Sequence, residues 1–397
     1  MPDAVIVSAV RSPIGRAYKG SLAGVRADDL AAQIVRKALD KVPALDPVTL
    51  DDLILGCAQP AGEQGYNLGR QVAMHLGLDT VPGTTVNRYC ASSLQAIRMA
   101  FHAIKAGEGH AFVAAGAEVV SHYPAGRADG MPDTMNPRWP TFTPSAHWSD
   151  PRERGELPDV YVAMGETAEN VAQLCGVSRR EQDEFAVRSQ NNAEKAQADG
   201  FWDLDITPVE LPDGTVLRRD DGPRPGVTLE KISALQPAFR PDGTVTAGNC
   251  CPLNDGAAAL VVMSSTRAAE LGLTPLARIV STGVSGLSPE IMGLGPVEAT
   301  RRALANAGMS IGDIDLVEIN EAFAAQVIPA YRQIGADLDK VNVHGGAIAV
   351  GHPFGMTGAR IATTLLNGLV HKDRQVGLET MCTAGGQGMA MILERLS

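Results

Sequence analysis

Residues 84–104 read Thr84-Thr-Val-Asn-Arg-Tyr-Cys90-Ala-Ser-Ser-Leu-Gln-Ala-Ile-Arg-Met-Ala-Phe-His-Ala-Ile104. The residues before Cys90 read as the end of a β-strand, whereas Leu94, Ile97, Phe101 and Ile104 recur at the spacing of one helical face. Cys90 therefore stands at a helix N-terminus, where unpaired backbone N–H groups and the positive end of the helix dipole favour a thiolate, the nucleophilic form of the side chain. Two readings are open at this point: a nucleophile, or a small buried residue filling a strand-to-helix junction.

Outward from this stretch the chain alternates. The pattern predicts a buried strand over 5–10 followed by the Pro-Gly turn chemistry of Arg11-Ser-Pro-Ile-Gly-Arg16, and a helix over 28–42. It then predicts a strand over 53–56, a helix over 67–76 and a strand over 111–120 carrying Glu118 near its end. Such alternation argues for α/β layers. Between Ser121 and about Thr244 the composition shifts to prolines, tryptophans and charges, as in Asn136-Pro-Arg-Trp-Pro140, broken by helices over 167–174 and 179–198. This is an inserted subdomain, either a functional cover or a structural addition.

After Thr246 the strand and helix alternation resumes, and the end of the chain echoes its beginning. Ile6-Val-Ser8 matches Ile279-Val-Ser281, Arg36-Lys-Ala-Leu39 matches Arg301-Arg-Ala-Leu304, Asp52-Leu-Ile-Leu-Gly56 resembles Asp315-Leu-Val-Glu-Ile319, and Val86-Asn87 pairs with Val341-Asn342. The four echoes keep their order at offsets of 273, 265, 263 and 255 residues. They imply two similar halves, a repeat too long for a solenoid.

Composition narrows the classes. A chain of 397 residues with 45% hydrophobic and 20% charged residues can bury a sizeable core, and no apolar run approaches a membrane span. The start of the chain enters a strand pattern at once, so a cytoplasmic location is expected. A net charge of −11 and the lack of any Lys/Arg stripe argue against nucleic acid, while a few local arginines and helix N-termini can still hold a phosphate-bearing small molecule. The six cysteines (57, 90, 175, 250, 251 and 382) show no C-x-x-C spacing and read as reduced thiols, with neither zinc nor disulfides expected.

Three further motifs carry chemistry. In Asn342-Val-His-Gly-Gly-Ala-Ile-Ala-Val-Gly-His352-Pro-Phe-Gly-Met-Thr-Gly-Ala-Arg360, the glycines allow close backbone approach and Pro353 extends His352 at a loop tip before a helix. A histidine there can take a thiol proton near neutral pH; His344 reads as structural. In Met381-Cys-Thr-Ala-Gly-Gly-Gln-Gly388 a cysteine after a strand precedes a glycine-rich turn whose N–H groups can form an oxyanion hole. Asn320-Glu-Ala-Phe-Ala324 places an amide at a strand end, either to orient a water or carbonyl or to cap the next helix.

The Cys90, Asn320, His352 and Cys382 motifs together closely resemble the four signatures of thiolases, the acyl-CoA C-acetyltransferases. The resemblance extends over nearly the whole chain through Arg11-Ser-Pro-Ile-Gly, Met164-Gly-x-Thr-Ala-Glu-Asn170, Thr246-Ala-Gly-Asn and Asn254-Asp-Gly-Ala-Ala258. It implies an α/β fold of two similar halves in a five-layer αβαβα sandwich with an inserted loop domain. The halves would span 1–120, completed by 246–270, and 271–397, with 121–245 covering coenzyme A. By motif, Cys90 would be the acyl-accepting nucleophile, His352 its base, Cys382 the acid and base at the substrate α-carbon, and Asn320 the holder of an oxyanion-hole water. The N–H groups of Cys90 and Ala384 would form a second oxyanion hole. Arg224, Met164 and Cys251 would contact coenzyme A, which serves as a substrate, with no tightly bound cofactor and no metal.

The implied reaction is thiolytic cleavage of a 3-ketoacyl-CoA to acetyl-CoA and a shortened acyl-CoA, by a ping-pong mechanism. A homodimer or homotetramer is expected, with association with other β-oxidation enzymes and no membrane insertion. Three departures stand out: Ala384 replaces a usual glycine, Cys251 a common serine, and Ala163 precedes Met164 where short-chain biosynthetic members carry histidine. With Asn-Arg leading into Cys90, the last resembles degradative thiolases. The alternative is a biosynthetic acetoacetyl-CoA thiolase condensing two acetyl-CoA. A decarboxylating ketoacyl synthase would look for a second histidine where this chain has Asn320 and Cys382, and a non-catalytic lipid-binding relative would lack motifs that are all present.

Overall fold

A computed structural model of the chain describes residues 1–123, 136–140 and 148–397. Its main sheet is built from β1 (Ala4–Arg11), β2 (Asp52–Gly56), β3 (Gly83–Val86), β4 (Ala111–Val119), β5 (Asn254–Ser264), β6 (Ala277–Gly286), β7 (Leu316–Ile319), β8 (Val376–Thr383) and β9 (Gln387–Arg395). The order across it is β7-β8-β9-β6-β1-β5-β4-β2-β3, and a two-residue strand, Gly15–Arg16, adds to β5.

From the middle outward the order β1-β5-β4-β2-β3 repeats as β6-β9-β8-β7, and Val341, bridged in parallel to Val317 of β7, stands where β3 stands beside β2. In both runs the second strand is antiparallel to its neighbours and the third and fourth are parallel. The sequence echoes fall on equivalent elements, β1 with β6 and β2 with β7. The two runs join through only two residue pairs, Val5 with Arg278 and Ile6 with Ala277.

The helices that matter for the site are α1 (Ala27–Asp40), α2 (Leu68–His75), α3 (Ser92–Ala106), α4 (Met164–Cys175), α5 (Arg179–Ala198), α6 (Gly295–Ala307), α7 (Ala324–Ile334) and α8 (Thr357–His371). One apolar cluster joins Leu94 and Ile97 of α3 and Leu365 and Leu369 of α8 to Ile6, Leu260, Ile279 and Met391 on the strands of both runs. A second packs α1 and α2 on one run, and a third packs α6 and α7 on the other. The result is helix, sheet, helix, sheet, helix. Helix α8 is buried nearly all round, as a helix between two sheets must be. It meets α3 backbone to backbone, for a Cβ on Gly358 would lie 2.4 Å from the Leu94 nitrogen.

Helix α5 takes the span the sequence predicts, fixed at its start by a capping box between Ser178 and Glu181. The helix expected over 167–174 starts instead at Met164. Residues 124–135 and 141–147 of the inserted segment lie outside the described residues. Among the described residues no helix is long and apolar enough to cross a membrane.

Candidate active site

Beyond β3 the chain turns sharply. Asn87 donates from Nδ2 to Ala58 O at 3.0 Å and accepts from Tyr89 N at 2.7 Å. Tyr89 has φ 45°, an uncommon left-handed conformation for a bulky residue and a local strain of the kind stored at functional sites. Cys90 follows in a single 3₁₀ turn, Tyr89–Ala91, that runs into α3. The two serines after it have separate tasks. Ser92 Oγ accepts from Arg88 N at 2.9 Å and donates to Tyr89 O at 2.6 Å, closing the turn. Ser93 Oγ accepts from Ala359 N at 2.9 Å, capping the first turn of α8 from the other half of the chain.

His352 reaches the same place from the loop before α8, and it is buried. Its N–H donates to Asn254 Oδ1 at 2.9 Å, and Asn254 Nδ2 donates to Gly15 O at 3.0 Å. Its ring lies between two partners: Nδ1 is 2.6 Å from Thr357 Oγ1, and Nε2 is 3.2 Å from Asn320 Nδ2. Phe354 stands edge-on to the ring at 5.1 Å. Burial, helped by the nearby Arg360 charge, pushes the His352 pKa down to about 3. At rest it is a neutral acceptor, and an imidazolium becomes favourable only with a thiolate formed beside it.

Asn320 directly follows β7, its N–H donating to Thr380 O at 3.0 Å. It does not cap α7, whose N-cap is Phe323. Its Oδ1 is buried with no hydrogen-bond partner among the described residues, the kind of acceptor that holds a water or a substrate donor. Glu321 beside it accepts from Ser189 Oγ at 2.6 Å, Asn342 Nδ2 at 2.8 Å and Ile348 N at 3.1 Å, fixing the start of the His352 loop.

Cys382 is the penultimate residue of β8, within the strand rather than after it, and fully buried. The hairpin that follows places φ 72° and 74° on Gly385 and Gly386, so the alanine at 384 meets no left-handed requirement. Burial, together with the neighbouring Cys90, raises the Cys382 thiol well above its ordinary pKa. Cys251 is raised by burial and by Cys250, Cys90 and Cys382, which marks the convergence of four cysteines. All are free thiols. Cys251 N donates to Ala322 O at 3.0 Å, lacing that segment to the residues after Asn320.

The remaining sequence-selected residues spread out. Met164 opens α4 and packs against the apolar cluster that contains Cys382, while Ala163 before it is exposed. Arg224 is exposed and is held by its backbone, whose N–H donates to Gln190 Oε1 at 3.0 Å. His344 stacks on Phe201 at 3.7 Å and pairs with His371, a core histidine as its sequence setting suggests.

Two supports do not stand out in the sequence. Thr357 is one. Glu118 is the other: Oε2 accepts from Ala58 N at 2.7 Å and Gly355 N at 2.8 Å, and Oε1 from Gln64 Nε2 at 2.9 Å and from the Tyr123 hydroxyl. It ties the loop after His352 to the loop after β2. Its signal is an acidic residue near the end of the otherwise apolar strand Ala111–Val119.

Comparison with known proteins agrees with this fold. Models of the thiolase N-terminal and C-terminal domains match residues 4–266 and 273–395. The chain is 45% identical to a β-ketoadipyl-CoA thiolase of Escherichia coli over 100% of both sequences. It is 44% identical to a 3-ketoacyl-CoA thiolase of Bacillus subtilis (strain 168), over 99% of this chain and 100% of that one. Among solved structures, the Bacillus anthracis acetyl-CoA acetyltransferase superposes with a TM-score of 0.88 at 40% identity, covering 100% of this chain and 99% of the other.

Proposed function

The chain belongs to the thiolase family and is a thiolase, and from that premise we propose that it works degradatively, with Cys90, His352, Cys382 and Asn320 carrying the reaction. The observation that supports these roles is the convergence, from both halves of the chain, of Cys90 and Cys382 with the hydrogen-bonded series Asn320, His352 and Thr357.

His352 Nε2 takes the Cys90 proton, and the thiolate attacks C3 of a 3-ketoacyl-CoA. The negative charge on that oxygen is met by the N–H groups of Cys90 and Ala384. The C2–C3 bond breaks, its electron pair passes to C2, and C2 takes a proton from the Cys382 thiol. Raised by burial, that thiol is a weak acid at rest, suited to giving its proton to a carbanion and not to solvent. Asn320 and His352 steady the enolate oxygen as it forms. Acetyl-CoA leaves and the His352 proton passes to the Cys382 thiolate; the incoming coenzyme A then gives its thiol proton to His352, and its sulfur attacks the acyl group. Cys90 departs and recovers its proton from His352.

The inserted 121–245 segment covers coenzyme A, with Arg224, Met164 and Cys251 near the nucleotide and pantetheine. The enzyme acts in the cytoplasm on fatty-acid-derived substrates as a homodimer or homotetramer, for which sedimentation equilibrium is the direct measurement. The roles are tested by following loss of acetoacetyl-CoA enolate absorbance with coenzyme A, combined with mass spectrometry of the trapped acyl-enzyme. Label on Cys90 that disappears in Cys90→Ser is expected; a stable adduct on Cys382 alone would reverse the assignment.

A further inference from the structure

Arg88 and Gln387 come from opposite halves of the chain and meet between the two cysteine-bearing loops. Arg88 lies two residues before Cys90, and Gln387 opens β9, paired with Thr383 across the hairpin after Cys382. Arg88 Nη1 donates to Gln387 Oε1 at 2.6 Å, and Arg88 Nε donates to Gln95 Oε1 of α3 at 3.1 Å. Gln387 Nε2 donates to Ala384 O at 3.3 Å, and the Thr383 hydroxyl donates to Arg88 O at 3.0 Å. The Tyr89 ring packs on the same turn, 3.6 Å from where a Cβ on Gly385 would lie. Both the side chain and the main chain of Arg88 thus grip the hairpin. The guanidinium fork binds two neutral amides, an arrangement that fixes direction through two separate N–H bonds.

We infer that Arg88 and Gln387 are a positioning pair that sets the separation of Cys90 from Cys382, and that this separation governs carbon–carbon cleavage but not acyl exchange. The inference rests on the roles proposed above. In exchange of coenzyme A with acetyl-CoA, the Cys90 proton passes through His352 to the departing sulfur, no carbon is protonated, and Cys382 stays idle. In cleavage, C3 is bonded to Cys90 while C2 takes its proton from Cys382, so one rigid substrate spans both sulfurs. A displacement of about 1 Å between such groups can cost about 100-fold.

The test compares two reactions of the full-length enzyme: thiolysis of acetoacetyl-CoA, and exchange of isotope-labelled coenzyme A into acetyl-CoA. Arg88→Met and Gln387→Ala should each lower kcat for thiolysis by about 30-fold to 100-fold while exchange stays within about threefold. The double variant should be no worse than the worse single one. Gln387→Glu, which keeps an acceptor for Arg88, should stay within about threefold in both reactions. Equal losses in the two reactions, as general loosening or misfolding produces, would overturn the pair, and so would additive effects. The underlying roles are read separately in Cys382→Ser: retained thiolysis there would remove Cys382 from the chemistry and the inference with it, whatever the Arg88 variants do.

Discussion

Thr357 decides which nitrogen of His352 carries the proton. Its hydroxyl has one hydrogen, given to Pro353 O at 2.7 Å, so toward Nδ1 at 2.6 Å it can only accept. Nδ1 is therefore protonated and Nε2, facing Asn320, is the basic nitrogen.

Thr357→Val keeps the shape but leaves a buried Nδ1–H without its acceptor. The expected loss is about 1–3 kcal/mol, or roughly 5-fold to 150-fold in kcat, with little change in KM. Thr357→Ser should recover most of it. Steady-state kinetics with wild-type kcat in the valine variant would mean that another group sets the tautomer.

The depressed His352 pKa makes a pH prediction with a definite sign. The neutral form persists until pH falls through about 3, so kcat/KM for thiolysis should show no histidine limb near 6.5. A limb at that pH that disappears in His352→Asn would contradict the geometry. Stability follows the same linkage. The unfolded imidazole protonates near 6.5 and the folded one near 3, so this contribution is complete above 6.5 and is lost as pH falls toward 3. His344, also drawn to about 3 by burial, acts in the same direction. Thermal melts should show wild type losing more Tm between pH 7 and pH 4.5 than His344→Asn does.

Arg224 should act on binding alone. Its exposed side chain is able to stack on adenine or to pair with a phosphate, so Arg224→Ala is expected to raise KM for coenzyme A more than it lowers kcat. An unchanged KM in initial-rate measurements would assign the nucleotide to another residue.

Chain length is the sharpest test of the degradative reading. With alanine rather than histidine at position 163, each further buried methylene should add up to about 0.8 kcal/mol, near fourfold in kcat/KM, from the four-carbon substrate to the six-carbon or eight-carbon one. Assaying that ladder alongside β-ketoadipyl-CoA separates an apolar preference from one for a terminal carboxylate. A steep fall beyond four carbons would favour biosynthetic condensation, with Phe354, edge-on to His352, as the ring that closes the pocket.

Much of this architecture is legible in the sequence because repeated local patterns coincide with repeated packing. The echoes at Ile6 and Ile279, and at Asp52 and Asp315, fall on equivalent strands since each half must bury the same alternating faces. The position of Cys90 between a strand and α3 follows from periodicity alone. Burial is less accessible: nothing in Gly351-His352-Pro353 says that the loop lies beneath α3 and β5, where desolvation makes its histidine a weak base. Long-range supports are hidden for a related reason. Glu118 and Gly355, or Arg88 and Gln387, are far apart in sequence, and each is an ordinary residue until the fold brings its partner within hydrogen-bond range.

Strand β5 lies between β1 and β4 and pairs with both, Ala4 with Ser264 at one end and Arg11 with Ala258 at the other. During synthesis this spacing is an interval of time. At roughly 5–20 residues per second, about 10–50 seconds pass between the emergence of β1 and of the strand that completes its sheet. Until then β1 and β4 present apolar faces and unpaired edges to their surroundings, the condition under which nascent chains pair with one another. Formation of the N-terminal sheet is thereby deferred until about two-thirds of the polypeptide has been made, and non-local pairing of this kind is intrinsically slow. The strand that completes the N-terminal sheet thus leaves the nascent chain with unpaired edges until it is made.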